Sequence, residues 1–108
     1  PRARFAGIPE MASLLPPGRA EAITRPATRT FGPFEVTFHD LPHQRPVRTV
    51  VENTLHVIRA CGQTIAFTGD ATQELTFYAR APKVDILVAP YWFVTTPQGR
   101  AVVEQVFQ

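Results

Sequence analysis

The sequence predicts an α/β fold of the layered α+β kind, a mixed sheet with helices packed outside it. Three observations predict it. Phe34, Val36 and Phe38 alternate with Glu35, Thr37 and His39, which is the period of a half-buried strand. Two β-rich runs then meet at Cys61-Gly62, and an almost unbroken apolar run, Val84 to Ala89, leads into a Thr-Pro helix start. No internal repeat interrupts this order.

Taken along the chain, residues 1–33 form an irregular and helical lead-in. Pro9 to Leu15 is a short helical candidate with Met11, Leu14 and Leu15 on one face, ended by Pro16-Pro17-Gly18. Glu21 to Thr24 reads as a short strand and Pro26 to Gly32 as a loop. Residues 34–108 read as hairpin, helix, strand, helix. After the strand from Phe34, Asp40-Leu41-Pro42-His43 breaks the pattern. Asn53–Ala60 and Gln63–Thr68 pair as a hairpin, Gly62 supplying the positive φ of a tight turn. Gly69-Asp70 closes the second arm, and Thr72 caps a helix running to about Arg80, with Glu74 favourably placed for its dipole. Lys83 to Ala89 is a strand covered on both faces, closed by Pro90. Thr96 and Pro97 open the last helix, whose buried stripe is Val102, Val103, Val106 and Phe107.

At 108 residues the chain is one domain or part of one, with a modest core. Its 44% hydrophobic and 19% charged residues are those of a folded globular protein. The net charge is only +2 and the basic residues are spread from Arg2 to Arg100, which argues against a nucleic-acid partner. Arg45 and Arg48 flank a turn and read as solvated loop residues. No apolar run reaches the roughly 20 residues of a membrane span. The single cysteine, Cys61, has no internal disulfide partner and no nearby His, so it reads as a structural or incidental thiol. The compartment stays open, leaning to a soluble, cytoplasmic protein. The chain opens without an initiator Met and stops inside an apolar helical pattern, so both ends read as cut.

Chemistry is concentrated in His39, His43, His56 and Asp70. Asp70 sits after a glycine at a strand end, where functional groups project from a sheet, although on the pair Gly69-Asp70 alone a plain turn or helix-cap role is the more common reading. His39 and His43 would share a helix face, but Pro42 and the preceding alternation exclude a helix, so they are not expected to hold one ion together. His39 reads as a surface or supporting residue, His43 as a loop residue free to reach a cleft, and His56 as structural or exposed. A zinc hydrolase needs about three or four N, O or S ligands per ion with a position for water. His-x-His, Cys-x-x-Cys, His-Glu-x-x-His, Gly-x-Ser-x-Gly and a phosphate-cradling glycine loop are all missing. An independent metal enzyme is therefore not expected in this chain.

Leu41-Pro42-His43, then Val51-Glu52-Asn53, then the run from Gly62 through Phe67-Thr68-Gly69-Asp70-Ala71, then Val84 through Pro90-Tyr91-Trp92, stand in an order and spacing that resemble the second half of a metallo-β-lactamase-fold hydrolase. The resemblance covers residues 34–108. It implies the second half of an αββα sandwich, with His43 ligating one metal and Asp70 bridging two, usually zinc. It implies further that a His-x-His-x-Asp-His motif precedes Pro1 and a last ligand His follows Gln108. Tyr91 and Trp92 would line the cleft for a small-molecule substrate or pack in the core. Such a parent would use metal-bound hydroxide to attack an ester, amide or phosphoester bond, and the chain alone would be inactive, with weak or no stoichiometric zinc. The alternative is a non-catalytic scaffold of the same fold that has lost its metal site.

Overall fold

The computed structural model describes residues 3–44 and 52–107. Arg45, Arg48 and Val51, to which the sequence reading gave loop and strand positions, lie outside the described residues. Among the described residues, seven strands and three short helices follow in chain order: β1 (Phe5–Gly7), α1 (Pro9–Ala12), β2 (Ala20–Ala22), β3 (Ala27–Phe31), β4 (Phe34–Asp40), β5 (Thr54–Ala60), β6 (Gln63–Phe67), β7 (Ile86–Val88), α2 (Trp92–Thr95) and α3 (Pro97–Val102). A single 3-10 turn, Leu75–Tyr78, precedes β7, and α3 runs on into a wider π turn, Val103–Phe107. Among the described residues, no helix is long and apolar enough to cross a membrane.

The main sheet has the order β3-β4-β5-β6-β7, antiparallel throughout except for the parallel pair β6-β7. This is the mixed sheet with helices outside that the periodicities imply. The β5-β6 hairpin turns on Cys61 and Gly62, both at positive φ, 53° and 74°, between the paired residues Ala60 and Gln63. Two central residues at positive φ mark a type I′ turn, whose twist matches that of the strands.

Because side chains alternate across a sheet, cross-strand partners share a face. Leu55, Val57 and Ala66 face the helices and are buried with Ala71, Tyr78, Phe93, Val102 and Phe107 in one core. Tyr78 stands edge-on to both Phe93 and Phe107, with ring centroids 6.4 and 5.8 Å away. The opposite face carries two apolar rows, Val36-Ile58-Ile65-Ile86 and Phe38-His56-Phe67-Val88. The lead-in covers part of it, yet Ile86 and Val88 remain 46% exposed. The expectation that the β7 run is covered on both faces fails for this face.

Five elements differ from the sequence reading. Residues 27–31 form a strand instead of a loop, because β4 offers them a complete antiparallel partner from Ala27↔Phe38 to Phe31↔Phe34. The helix expected from Thr72 to Arg80 shrinks to one turn. The Thr72 hydroxyl accepts the backbone N–H of Glu74 at 3.2 Å, but Glu74 is extended (φ −78°, ψ 114°) and the Thr72 carbonyl accepts the Tyr78 hydroxyl, so the helix does not propagate from Thr72. β7 is only three residues long, but the Asp85 carboxylate takes the N–H of Thr64 at 2.8 Å and prolongs the edge by a side chain. The strand placed at Glu21–Thr24 is Ala20–Ala22, parallel to β1, and the first helix ends at Ala12, short of Leu15. The last helix begins as read: the Thr96 Oγ1 accepts Gly99 N–H at 3.1 Å, with Pro97 in the first turn.

Candidate metal centre

One end of the sheet gathers the C-termini of β4, β6 and β7 and the N-terminus of β5. Chains leaving strands at such an edge carry groups away from the ladder, where they can meet a ligand. His43 leaves from β4 and Asp70 from β6, and the two segments are joined directly. His43 and Ala71 form an isolated antiparallel bridge. Gln44 N–H donates to the Asp70 carbonyl at 2.7 Å and Thr72 N–H to the Pro42 carbonyl at 2.8 Å.

This short ladder brings His43 Nε2 to 3.6 Å from Asp70 Oδ2, with the histidine largely buried and the carboxylate open. His43 Nδ1 lies 2.8 Å from the Gln44 carbonyl oxygen. A carbonyl only accepts, so Nδ1 carries a proton, and in the neutral ring the lone pair is then on Nε2, the nitrogen that faces Asp70. Two ligands of one tetrahedral zinc, each about 2.0–2.1 Å from the ion, stand about 3.3–3.5 Å apart. The pair therefore fits one shared cation in spacing and in tautomer. Among the described residues, no group of three His, Cys, Asp or Glu side chains is close enough to hold a metal ion.

The turn that carries Asp70 is held from three sides. Thr68 N–H donates to the Val88 carbonyl at 3.1 Å, continuing the parallel ladder one residue past β6. Trp92 Nε1–H donates to the Ala71 carbonyl at 3.0 Å. Asn53, just before β5, donates from Nδ2 to the Thr68 carbonyl at 2.9 Å and accepts Asp70 N–H on Oδ1 at 3.0 Å. Gly69 turns the chain between these contacts at a φ of +60°, and a Cβ there would collide with Asn53 Oδ1. Glycine stands there for both reasons, backbone angle and space.

The other histidines take separate places. His39 pairs with Leu55 on the helix-facing side, away from Asp70, and burial, then the nearby Arg59 charge, holds its pKa below the ordinary 6.5. His56 faces the opposite side, edge-on to Phe38 with ring centroids 5.2 Å apart. Burial, then the Arg25 charge, depresses its pKa as well. With Asp70, Asn53, Phe67 and Val88 it borders an open groove of about 880 Å³ that Phe5, Ile8 and Met11 of the lead-in also line. Tyr91 is 74% exposed, while Trp92 packs against the core; neither borders the groove.

Sequence reasoning paired His43 with Asp70 and missed Asn53 and Arg25. Arg25 reaches from the lead-in to the Asn53 carbonyl and, at 2.9 Å, to Thr54 Oγ1, and it pairs with Glu52 and, at 3.5 Å, with Asp40. An amide side chain just ahead of a strand that pairs with a Gly-Asp strand end was the available signal for Asn53. Nothing in residues 20–26 marks Arg25 out.

No protein-family model and no curated protein matches the chain. Among solved structures, the chain resembles the metallo-beta-lactamase fold protein YhfI from Bacillus subtilis, with a TM-score of 0.55 and 22% sequence identity. The likeness covers 72% of this chain and 31% of that one. At this identity it speaks for architecture: the mixed five-stranded sheet with helices outside is that of a metallo-β-lactamase-fold protein.

Proposed function

We propose that the chain is part of a metal-dependent hydrolase of the metallo-β-lactamase type and supplies two of its metal ligands, His43 and Asp70. The observation that carries this reading is the 3.6 Å approach of a tautomer-fixed imidazole to an open carboxylate at the strand-end edge of the sheet. The pair suits zinc, whose ordinary ligands are imidazole and carboxylate. In the parent, two ions held in part by these residues would supply a hydroxide at neutral pH and polarise the bond attacked. His43 contributes an imidazole already oriented by its own backbone. Asp70 has two oxygens on an exposed side chain, so it can serve two cations and offset their repulsion. The substrate is a small molecule with an ester, amide or phosphoester bond, and no nucleic-acid or membrane partner is invoked. Tyr91 is open to a substrate; Trp92 supports the site through Ala71.

A second reading, a non-catalytic scaffold of the same fold, is favoured by the lack of a third ligand beside the pair among the described residues. Metal content of the purified parent separates the two. The expected result is bound zinc in the parent and its loss, together with hydrolysis, in Asp70→Ala and His43→Ala. A parent that binds no zinc after dialysis against it, or an Asp70→Ala protein with full zinc, would overturn the hydrolase reading. The chain by itself is expected to retain less than one equivalent of zinc and to hydrolyse nothing.

A further inference from the structure

The Asp70 carboxylate can serve a metal only if the turn beneath it is held, and the side-chain contacts to Thr68 and Asp70 both come from one residue. Asn53 uses both ends of its amide on that turn, one on the Thr68 carbonyl and one on Asp70 N–H. Its Oδ1 also occupies the space that a side chain at position 69 would need. The backbone of Asn53 is itself fixed, because the Arg25 guanidinium donates to its carbonyl and to the next side chain, Thr54 Oγ1, at 2.9 Å. Arg25 is largely buried, with a side-chain exposure of 10%, and the carboxylates of Glu52 and Asp40 balance its charge. A buried, hydrogen-bonded guanidinium is rigid, because its planar fork fixes several acceptors at once.

We propose that Arg25 and Asn53 form a strut that positions Asp70 for metal binding. Arg25 sets the place of the Asn53 backbone, and the Asn53 amide sets the path of residues 68–70. The inference rests on Asp70 being a metal ligand. Neither residue touches the metal in this reading; both are positioning residues, like the groups that orient ligands from behind in other metal sites.

The test uses the intact parent protein, with zinc affinity measured by competition against a chelator and the cobalt(II) d–d spectrum recorded after substitution. Asn53→Ala removes both amide contacts and is expected to weaken zinc binding 10- to 100-fold and to change the cobalt spectrum, while circular dichroism of the apo form keeps its shape. Asn53→Asp keeps the acceptor for Asp70 N–H and loses the donor to Thr68, and is expected to fall between Asn53→Ala and the parent. Arg25→Lys, which keeps the charge without the fork, is expected to weaken zinc about 10-fold and guards against a case in which Asn53→Ala does not fold. Unchanged zinc affinity and cobalt spectrum in folded Asn53→Asp and Arg25→Lys, with Asp70→Ala losing its metal, would overturn the strut and leave the ligand reading intact. Full metal in Asp70→Ala would overturn the ligand reading itself.

Discussion

At position 56 an imidazole shares a sheet face with Phe38, Phe67 and Val88, beside a buried guanidinium. Both surroundings oppose its protonation, and burial is the larger of the two. His39 is disfavoured as a cation in the same sense. Between the ordinary pKa of 6.5 and the lower folded values, the unfolded chain binds protons that the folded chain refuses. The stabilisation is thus complete above pH 6.5 and declines as pH falls through the folded values. Urea midpoints should drop on going from pH 7.5 to below 6.5, and His56→Gln should flatten that drop. An unchanged slope in the variant would assign the loss to other groups. The same position shows why residue roles were only partly legible. An alternating pattern places His56 on one face of a strand, but which face is bordered by Asp70 and the lead-in depends on register and on residues far away in sequence.

Among the elements, α2 and α3 meet at a right-sized gap that only one residue fills. Gly99 is buried, and a Cβ on it would run into the Trp92 carbonyl and the Phe93 Cα, which are backbone and cannot swing aside. Gly99→Ala improves helix propensity by about 1 kcal/mol, yet the overlap should exceed that gain and leave a net loss of about 1–3 kcal/mol. Thermal unfolding checks the sign. In the opposite direction, Cys61 sits at positive φ in the hairpin turn, where Asn is more at ease. Cys61→Asn should stabilise by about 0.5–1 kcal/mol. Elements with a strong period or a sharp signal were readable: the β5-β6 hairpin, the Thr96-Pro97 start and the buried stripe through Val102 and Phe107. Residues 27–31 and 72–80 were not, because pairing with β4 made the first a strand, and the Tyr78 hydroxyl on the Thr72 carbonyl shortened the second. Neither competition can be seen from local propensity.

For the whole molecule, the two faces of the sheet differ. One is closed by helices over a continuous core; the other leaves rows of Phe, Ile and Val partly open, with Ile86 and Val88 each 46% exposed. Open rows of this kind bind apolar dyes. The chain should enhance anilinonaphthalene sulfonate fluorescence while folded, and Ile86→Thr with Val88→Thr should reduce the signal markedly. Equal dye binding by the double variant would place the dye elsewhere. The His43–Asp70 pairing was legible from motif order, whereas its geometry depends on the bridge between residues 43 and 71, a contact between segments with no common period.

That bridge ends at the Ala71 carbonyl, where the only tryptophan of the chain donates its indole N–H. Trp92 is therefore a built-in optical gauge, one peptide unit from Asp70. Any event that moves the turn, whether an ion arriving at the carboxylate or loss of the Asn53 amide, changes the hydrogen bond of a lone fluorophore. Trp92 emission of the unlabelled chain, which holds no second tryptophan, should therefore report movement of the turn, as in Asn53→Ala.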